Sequence, residues 1–366
     1  MKILQVITSL QIGGAEKLVV DMVPLMRKEG HSVDILLFNG VDTSFKKQLQ
    51  EQGIRIFSFG YGSSVYNPKF IFRLIPIIKQ YDIVHAHNTA CQYFVAIAKF
   101  LVFENKTIIV TTEHSTNNRR RKIFGFKHFD KWMYSQYNAI VTISDKATEN
   151  LIGFLNNRYP IFTIYNGINI QNFIYNNPID RETFNSTRHD DIVVCMIAGF
   201  RIEKDQDTLI KAMKLLPDNY KLWLVGDGVR RTELEELVKS LNLYNRVFFS
   251  GIRSDIPQIL KASDIIVMSS HWEGLSLSSL EGMSVGKPFI ASDVDGLHET
   301  VNGYGLLFPH EDYQTLAKII LDLIKDKDYY KRVSDACLNR ALQFDVQNTV
   351  NRYLNLYQRI YNKTEL

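Results

Sequence analysis

The sequence predicts an α/β protein in two domains, each built on a parallel sheet with helices on both faces. Three observations lead to this prediction. Short apolar strands alternate with amphipathic helices along most of the chain, a pattern typical of parallel sheets that are covered on both faces. The chain has 366 residues, enough for two hydrophobic cores. A polar stretch at 171–191 interrupts the alternation, so we expect the domain linker there.

The first half of the chain follows this alternation in order. Residues 2–8 are predicted to form a strand, 16–28 a helix with its apolar side chains on one face, and 33–38 a second strand. Gly30 ends the helix, and Pro24 within it is expected to produce a kink. Further strands are predicted at 54–58, 83–87, 107–112 and 139–143.

The second half repeats the pattern. Residues 192–198 and 264–268 are predicted to be buried strands, each followed by a turn and a helix. The last segment, 345–361, carries apolar residues at helical spacing. We therefore predict an N-terminal domain, a C-terminal domain and a terminal helix, over 1–170, 171–345 and 346–366.

Composition excludes several classes of protein. Apolar residues make up 45% of the chain and charged residues 22%, which are ordinary values for a globular protein. The three cysteines are dispersed and fit neither a metal site nor a disulfide framework, so we expect a cytoplasmic, reducing location. No apolar run reaches the length of a membrane span, and the apolar start is too short for a secretion signal. We expect no nucleic-acid partner.

Positive charge is concentrated in the first half of the chain. Residues 1–165 contain 20 Lys and Arg against 12 Asp and Glu, although the whole chain has a net charge of only +4. Basic side chains beside aromatic ones suit anionic lipid headgroups, so one interpretation is peripheral contact with the inner face of the cell membrane. The alternative is a solvated loop whose aromatic side chains pack inward. The densest basic cluster is Arg119, Arg120, Arg121 and Lys122.

Two charged motifs follow predicted strands of the second half. Arg201 and Lys204 lie in the turn after 192–198, while Glu273 lies in the loop after 264–268 and Glu281 in the next helix. Open parallel sheets bind ligands at the carboxyl edge of their strands. There, two cations and a helix start can bind a diphosphate, and carboxylates can accept hydrogen bonds from sugar hydroxyls. The combination suits a nucleotide sugar, whereas each motif alone also fits surface ion pairs or a solvated helix face.

As a set, the motifs resemble those of the retaining glycosyltransferase family 4, and the likeness extends over nearly the whole chain. In the second half they are Gly199-Phe200-Arg201-Ile202-Glu203-Lys204-Asp205, Gly226-Asp227-Gly228, Glu273 with Glu281, Gly286-Lys287-Pro288 and Asp293-Val294-Asp295-Gly296. In the first half they are Gly13-Gly14-Ala15-Glu16, Asp82-Ile83-Val84-His85-Ala86-His87, Thr112-Glu113-His114 and Tyr165-Asn166-Gly167-Ile168.

The resemblance implies the GT-B fold, in which two Rossmann-like domains face each other across a cleft and a C-terminal helix crosses back to the N-terminal domain. It also implies transfer of a hexose or N-acetylhexosamine from a nucleotide-diphosphate sugar to a saccharide or lipid-linked acceptor, with retention of configuration, in bacterial surface polysaccharide biosynthesis. The nucleotide sugar is then a substrate, and no cofactor or metal is required. The pattern does not distinguish UDP from GDP.

The resemblance and the chemistry together assign roles to residues. Arg201 and Lys204 are expected to bind the diphosphate and stabilise charge as the glycosidic bond breaks. Glu273 and His114 are expected beside the donor sugar, and Glu281 at the ribose hydroxyls. The remaining donor-binding residues are Gly14, Gly251, Ile252, Leu275, Ser276 and Leu277. The expected acceptor residues are Gly13 and His87, and no residue is expected to bind a metal.

Several alternatives fit part of the pattern. A catalytically inactive GT-B binding protein and a sugar-nucleotide epimerase are the rival functions; an NAD-type oxidoreductase is disfavoured because Gly13-Gly14 lacks the required glycine spacing. His114 also fits a structural histidine, and His85 with His87 resembles a metal pair that lacks a third ligand. Gly282 stands where the family often has Ala and is expected to weaken its helix by about 1 kcal/mol.

Overall fold

A computed structural model describes residues 1–11, 13–62, 64–102, 106–115, 126–156, 159–183, 187–273 and 276–363. The chain divides into two compact units. One comprises Met1–Gly167 with Val346–Leu366, and the other comprises Ile168–Asp345. Within the described ranges, no helix is both long enough and apolar enough to cross a membrane.

The N-terminal unit contains a seven-stranded parallel sheet with helices between successive strands. The strands are β1 (Lys2–Ile7), β2 (Ser32–Leu37), β3 (Ile56–Ser58), β4 (Ile83–His87), β5 (Ile108–Glu113), β6 (Ala139–Thr142) and β7 (Ile161–Thr163). The helices are α1 (Gly14–Lys28), α2 (Ser44–Glu51), α3 (Lys69–Ile78), α4 (Thr89–Phe100), α5 (Phe126–Ser135) and α6 (Asp145–Leu155). The strand order is β3-β2-β1-β4-β5-β6-β7, and every described pairing is parallel.

Both faces of this sheet are buried, as the continuous apolar strands predict. Alternate residues of β1 enter different hydrophobic clusters: Leu4 and Val6 lie in one, and Ile3 and Ile7 lie in the other. Because successive side chains of a strand point to opposite faces, the two clusters cover opposite faces of the sheet. Helix α1 runs through Pro24 as one element of 15 residues.

The second unit contains a six-stranded parallel sheet in the order β10-β9-β8-β11-β12-β13. Its strands are β8 (Ile192–Ile197), β9 (Tyr220–Val225), β10 (Val247–Phe249), β11 (Ile265–Met268), β12 (Phe289–Ser292) and β13 (Leu306–Phe308). Its helices are α7 (Ile170–Ile174), α8 (Gln206–Met213), α9 (Arg231–Ser240), α10 (Ile256–Ala262), α11 (Leu277–Ser284), α12 (Leu297–Val301), α13 (Tyr313–Lys325) and α14 (Lys327–Leu342). The predicted class, two α/β units on parallel sheets, is confirmed.

The predicted linker at 171–191 is wrong. This segment belongs to the second unit, where Phe173 of α7 is buried in the core. Arg181 donates hydrogen bonds to the backbone carbonyls of Ala262 and Asp191 and forms an ion pair with Asp264 at 2.8 Å. The polar composition therefore reflects side chains that fasten the segment to the unit, and it does not mark a flexible connection.

The last helix of the chain, α15 (Val346–Tyr361), packs on α1 of the N-terminal unit. Its buried face includes Val350, Tyr353 and Tyr357, which join the cluster on one side of the first sheet. The predicted return of the C-terminal helix to the N-terminal half is thus confirmed.

Candidate active site

The turn after β8 brings Arg201 and Lys204 to the carboxyl edge of the second sheet. A single 3₁₀ turn, Ile202–Lys204, follows the strand, and α8 begins two residues later. Asp205 between them has a φ of +45°, and its Oδ1 accepts a hydrogen bond from the backbone N–H of Thr208 at 3.3 Å. This helix cap fixes the direction in which the preceding turn leaves the strand.

A glycine allows the neighbouring loop to approach this turn. Gly226, after β9, has a φ of +143°, and a Cβ atom there would lie 2.1 Å from the carbonyl oxygen of Ala198. Any other residue at 226 would therefore separate the two strand ends. The backbone N–H of Gly226 donates to the carbonyl of Gly251 at 2.9 Å, which places the predicted nucleotide-binding residues Gly251 and Ile252 at the same edge.

Lys204 and Glu273 form an ion pair with 2.5 Å between Nζ and Oε1. The pair is shielded from solvent, since the side-chain exposure is 23% for Lys204 and 10% for Glu273. Ser270 Oγ also donates to Oε1 of Glu273, at 2.9 Å. Both protein donors contact the same oxygen, so among the described residues Oε2 of Glu273 receives no hydrogen bond.

Further hydrogen bonds tie the loop after β11 to the turn after β8. The backbone N–H of His271 donates to the carbonyl of Glu203 at 2.9 Å, and Ser269 Oγ donates to the carbonyl of Asp205 at 2.6 Å. Strands β8 and β11 are neighbours in the sheet, so their carboxyl ends lie side by side. Two predicted site residues, 69 positions apart in the sequence, therefore meet in one place.

Arg201 lies in the same turn but remains exposed. Its side chain is 70% exposed, and its guanidinium lies 3.9 Å from a carboxylate oxygen of Glu203. An exposed contact of this length contributes little to stability. The alternative interpretation was that both cations form surface ion pairs within the turn. Arg201 forms only a long, exposed pair of this kind, and Lys204 instead pairs with Glu273, outside the turn and shielded from solvent.

Helix α11 begins four residues after Glu273 in the sequence. Ser276 caps it, with its Oγ accepting from the backbone N–H of Ser279 at 3.3 Å, and Leu277 is its first residue. Glu281 lies half-buried one turn further along. Leu275, predicted to bind the donor, lies outside the described residues, as do the basic residues 119–122.

Close packing of α11 explains why a glycine, rather than a larger residue, occupies position 282. A Cβ atom at this position would lie 2.8 Å from the ring of Phe289 and 2.9 Å from Cγ2 of Ile266, both fully buried. The expectation that Gly282 simply weakens the helix is therefore incomplete, because the absent side chain allows α11 to lie against β11 and β12.

In the N-terminal unit, Gly13 and Gly14 lie at the start of α1. A Cβ atom at Gly13 would lie 2.3 Å from a carboxylate oxygen of Glu16. The other oxygen of Glu16 accepts from Asn88 Nδ2 at 3.1 Å, and Asn88 also donates to Thr8. The carboxylate of Glu16 therefore lies beside the predicted acceptor residue Gly13, and Asn88 holds it there.

A chain of buried polar side chains lies behind His114. Its Nε2 is 2.9 Å from Nδ1 of His87, and Nε2 of His87 is 2.8 Å from Oε1 of Gln5. Because Gln5 Oε1 is an acceptor, Nε2 of His87 carries its proton, and His114 in turn donates from Nε2. Nδ1 of His114 is then an acceptor; it is buried and has no described hydrogen-bond partner.

Burial keeps these histidines neutral. It lowers the pKa of His114 to about 4 and holds the pKa of His87 well below the ordinary value. His87 is fully buried, and both of its ring nitrogens are engaged in hydrogen bonds. The predicted role of His87 in binding the acceptor substrate can therefore only be indirect, through its hydrogen bond to His114.

The metal-pair interpretation of His85 and His87 is not supported, because the nitrogens of His85 are engaged as well. Its Nδ1 lies 2.5 Å from the hydroxyl of Tyr357, and its Nε2 lies 2.8 Å from Oγ1 of Thr112. Thr112 in turn contacts the hydroxyl of Tyr353 at 3.0 Å. Two tyrosines of α15 thus complete the histidine network of the first sheet.

Comparisons with known proteins agree with these observations. A family model described as glycosyl transferases group 1 matches residues 179–339, and one described as glycosyltransferase family 4 matches residues 12–172. A UDP-Gal:alpha-D-GlcNAc-diphosphoundecaprenol alpha-1,3-galactosyltransferase of Escherichia coli is 27% identical over 81% of this chain and 80% of its own. The putative glycosyltransferase EpsF of Bacillus subtilis is 24% identical over 97% and 96%.

A solved structure, Anabaena Alr3699/HepE in complex with UDP, superimposes with a TM-score of 0.80. The likeness covers 98% of this chain and 100% of that one, at 24% identity. At this identity the comparison establishes the fold, and the predicted GT-B fold is confirmed.

Proposed function

Because the chain belongs to the glycosyltransferases of group 1 and family 4, and is therefore a sugar-transferring enzyme, we propose a specific reaction for it. It moves a hexose or N-acetylhexosamine from a nucleotide-diphosphate sugar, with UDP as the first candidate, to a saccharide or lipid-linked acceptor. The configuration at the anomeric carbon is retained. The relative that uses UDP-Gal and a diphosphoundecaprenol-linked sugar, and the neighbour solved with UDP, support this substrate class and a role in bacterial surface polysaccharide synthesis.

The contact between Lys204 and Glu273 carries the proposal. A Lys ammonium has three N–H donors, and Glu273 accepts from one of them at 2.5 Å. Within the described ranges the other two have no partner, so they can bind phosphate oxygens. On the carboxylate, Oε2 is available to accept from a sugar hydroxyl. One residue pair thus presents a donor for phosphate and an acceptor for sugar within a few ångströms, as the two halves of a nucleotide sugar require.

The same edge provides further groups for the leaving diphosphate. Arg201, with its exposed guanidinium, can bind phosphate oxygens through two parallel hydrogen bonds. The backbone N–H groups at the start of α11 add a partial positive charge. These groups stabilise the negative charge that develops on the diphosphate as its bond to the sugar breaks.

Retention is proposed to follow from attack on the face that the diphosphate leaves. The acceptor hydroxyl forms the new bond to the anomeric carbon while the bond to the diphosphate oxygen breaks. The departing phosphate takes the proton of that hydroxyl, so no enzyme carboxylate has to bond to the sugar. The pairing of Glu273 with Lys204 and Ser270 supports a binding role for this carboxylate rather than a nucleophilic one.

In the N-terminal unit, His114 is proposed to accept a hydrogen bond from a sugar hydroxyl. Its buried Nδ1 is an acceptor without a described partner, and its lowered pKa keeps the ring neutral at physiological pH. His87 and Gln5 act behind it as positioning residues, because their hydrogen bonds fix which nitrogen of His114 carries the proton.

Contact with the inner face of the cell membrane is also proposed, through exposed aromatic side chains of α4 and α5. Phe129 of α5 is 44% exposed and stacks on Trp132, with 5.5 Å between the ring centroids. Phe100, at the end of α4, packs edge-on against Trp132 and is exposed as well. Helix α5 also carries the exposed Lys127, and exposed aromatic rings together with basic side chains suit the headgroup region of a bilayer.

The proposal is tested by measuring nucleoside diphosphate release and product structure with a panel of nucleotide sugars and acceptors. Lys204→Ala is expected to lower kcat about 10²- to 10³-fold. The matched control Lys239→Ala, at an exposed position of α9, should leave kcat unchanged. Unchanged turnover in Lys204→Ala contradicts the diphosphate role. Binding without transfer indicates an inactive GT-B protein, and an epimerised donor in the absence of acceptor indicates an epimerase.

A further inference from the structure

A second cluster of polar side chains lies next to the Lys204–Glu273 pair in the sequence and at the same sheet edge. It consists of His271, His310 and Glu311, whose ligand-type atoms all lie within 4.8 Å of one another, and of Asp205 beside them. We propose that these four side chains bind a divalent transition metal of the zinc type. This metal site goes beyond the proposed sugar transfer and does not depend on it.

Three strand ends bring the four residues together. Asp205 follows β8, His271 follows β11, and His310 with Glu311 follows β13. All three strands run parallel in one sheet, so their carboxyl ends lie on the same edge. Residues more than a hundred positions apart in the sequence are thereby placed around one point.

The distances between the donor atoms suit a four-coordinate metal. Nδ1 of His271 lies 2.6 Å from Nε2 of His310, 3.6 Å from Oε1 of Glu311 and 4.0 Å from Oδ2 of Asp205. Nε2 of His310 lies 4.0 Å from the same glutamate oxygen. In a tetrahedral zinc site the ligand atoms lie about 2.0–2.1 Å from the metal and hence about 3.3 Å from each other. These four distances bracket this value. Among the described residues only His271, His310 and Glu311 lie mutually within 4.8 Å, so the side chain of Asp205 has to approach His310 and Glu311 to complete the site.

Asp205 supplies an independent indication of a ligand. The residue is only 4% exposed, and its Oδ1 is used by the helix cap at Thr208. Its Oδ2 is buried and has no hydrogen-bond partner among the described residues, although it points toward His271 at 4.0 Å. A buried carboxylate oxygen without a donor is unfavourable, and a bound cation would satisfy it.

The chemistry of the donor set indicates which metals fit. Two imidazole nitrogens and two carboxylate oxygens suit Zn²⁺ and its neighbours Co²⁺ and Ni²⁺, whereas Mg²⁺ prefers an all-oxygen site. A hydrogen bond between His271 and His310 would account for their 2.6 Å contact alone. It would leave the buried oxygen of Asp205 without a donor among the described residues.

Four protein ligands leave no open position, so the metal is structural rather than catalytic. It would fasten the turn that carries Lys204 to the loop that carries Glu273, because Asp205 and His271 are close neighbours of these two residues. Transfer chemistry without a metal at the diphosphate is compatible with this arrangement.

The test is metal binding by the full-length chain after treatment with a chelator. Titration with Co²⁺ is expected to give a visible absorption band of four-coordinate type at one equivalent, and Zn²⁺ should displace the Co²⁺ while Mg²⁺ should not. His310→Ala and Glu311→Ala should each weaken Zn²⁺ binding by at least about 100-fold in calorimetry, because loss of a ligand costs at least as much as loss of a residue that only supports one. The matched control His298→Ala removes a histidine that pairs with a single carboxylate, Asp293, and should leave the site unchanged.

Asp205→Asn separates the metal site from the helix cap, since Asn keeps the cap acceptor and tolerates positive φ. It should weaken Zn²⁺ binding while circular dichroism stays unchanged. The proposal is overturned if Co²⁺ gives no band, or if stoichiometric binding survives in both His310→Ala and Glu311→Ala. Neither outcome touches sugar transfer, whose test measures turnover rather than metal binding.

Discussion

Replacement of Gly282 by Ala is expected to destabilise the second unit, although Ala is the better helix former. The gain in helix propensity is about 1 kcal/mol. Against it, the new methyl group would lie 2.8 Å from the ring of Phe289 and 2.9 Å from Ile266, and both of these side chains are buried in the core. Overpacking of a core in this way costs about 1–3 kcal/mol. The net loss is therefore about 0–2 kcal/mol, with a central value near 1.

Thermal and urea unfolding of the purified chain measure this balance. One kcal/mol corresponds to roughly 2–4 °C in Tm for a unit of this size. The matched control is Gly153→Ala in α6, an exposed helical position at which a Cβ would meet nothing within 4 Å. At position 153 the substitution adds helix propensity without overpacking, so we expect the free energy of unfolding to rise by about 0.4–1 kcal/mol. The two variants should therefore shift Tm in opposite directions.

A double variant identifies the cause. Phe289→Leu removes the ring atoms closest to position 282, so Gly282→Ala should cost less in that background, with a coupling energy of about 0.5–3 kcal/mol. If Gly282→Ala raises Tm as Gly153→Ala does, the close approach of α11 to β12 is wrong, and the structural reason given for the glycine falls with it.

Three further predictions follow. Tyr357→Phe should destabilise the N-terminal unit by about 1–3 kcal/mol, because it leaves a nitrogen of buried His85 without its partner; an unchanged urea midpoint would contradict the network. The pKa of His114 is about 4 in the folded protein, below its unfolded value of 6.5, so between these pH values the ring is neutral when folded and protonated when unfolded. The free energy of unfolding should therefore fall as pH drops from about 6.5 to 4, and His114→Gln should flatten that profile in pH-dependent melting. Phe129→Ser should reduce sedimentation with anionic vesicles several-fold without changing Tm, whereas equal sedimentation would exclude this ring from membrane contact.

Local patterns predicted the elements well where apolar periodicity was strong. Strand β4 has the predicted bounds, Ile83–His87, and the helix predicted at 345–361 differs from α15 by one residue. The segment 171–191 was misjudged because its packing depends on a few residues, such as Phe173 and Arg181, whose partners lie elsewhere in the chain. Composition averages over such residues and misses them.

The candidate site could be predicted as a set of residues but not as a set of contacts. Motif and chemistry pointed to Lys204 and Glu273, yet their direct pairing depends on the adjacency of β8 and β11, which no local spacing encodes. The contact between His271 and His310, 39 positions apart, likewise depends on which strands are neighbours, and the sequence alone gave neither residue a role. Gln5 was missed because a polar residue within an apolar strand gives no sign of the histidine it meets.

The attachment of α15 to the first unit has a consequence for biosynthesis. During synthesis, residues 1–167 leave the ribosome long before residues 346–361. The N-terminal unit is therefore incomplete while the second unit is made, and His85 has no hydrogen bond to Tyr357 during that time. Nascent chains that stop before Val346 would expose apolar residues of α1 and the first sheet that Val350 and Tyr353 cover in the complete chain.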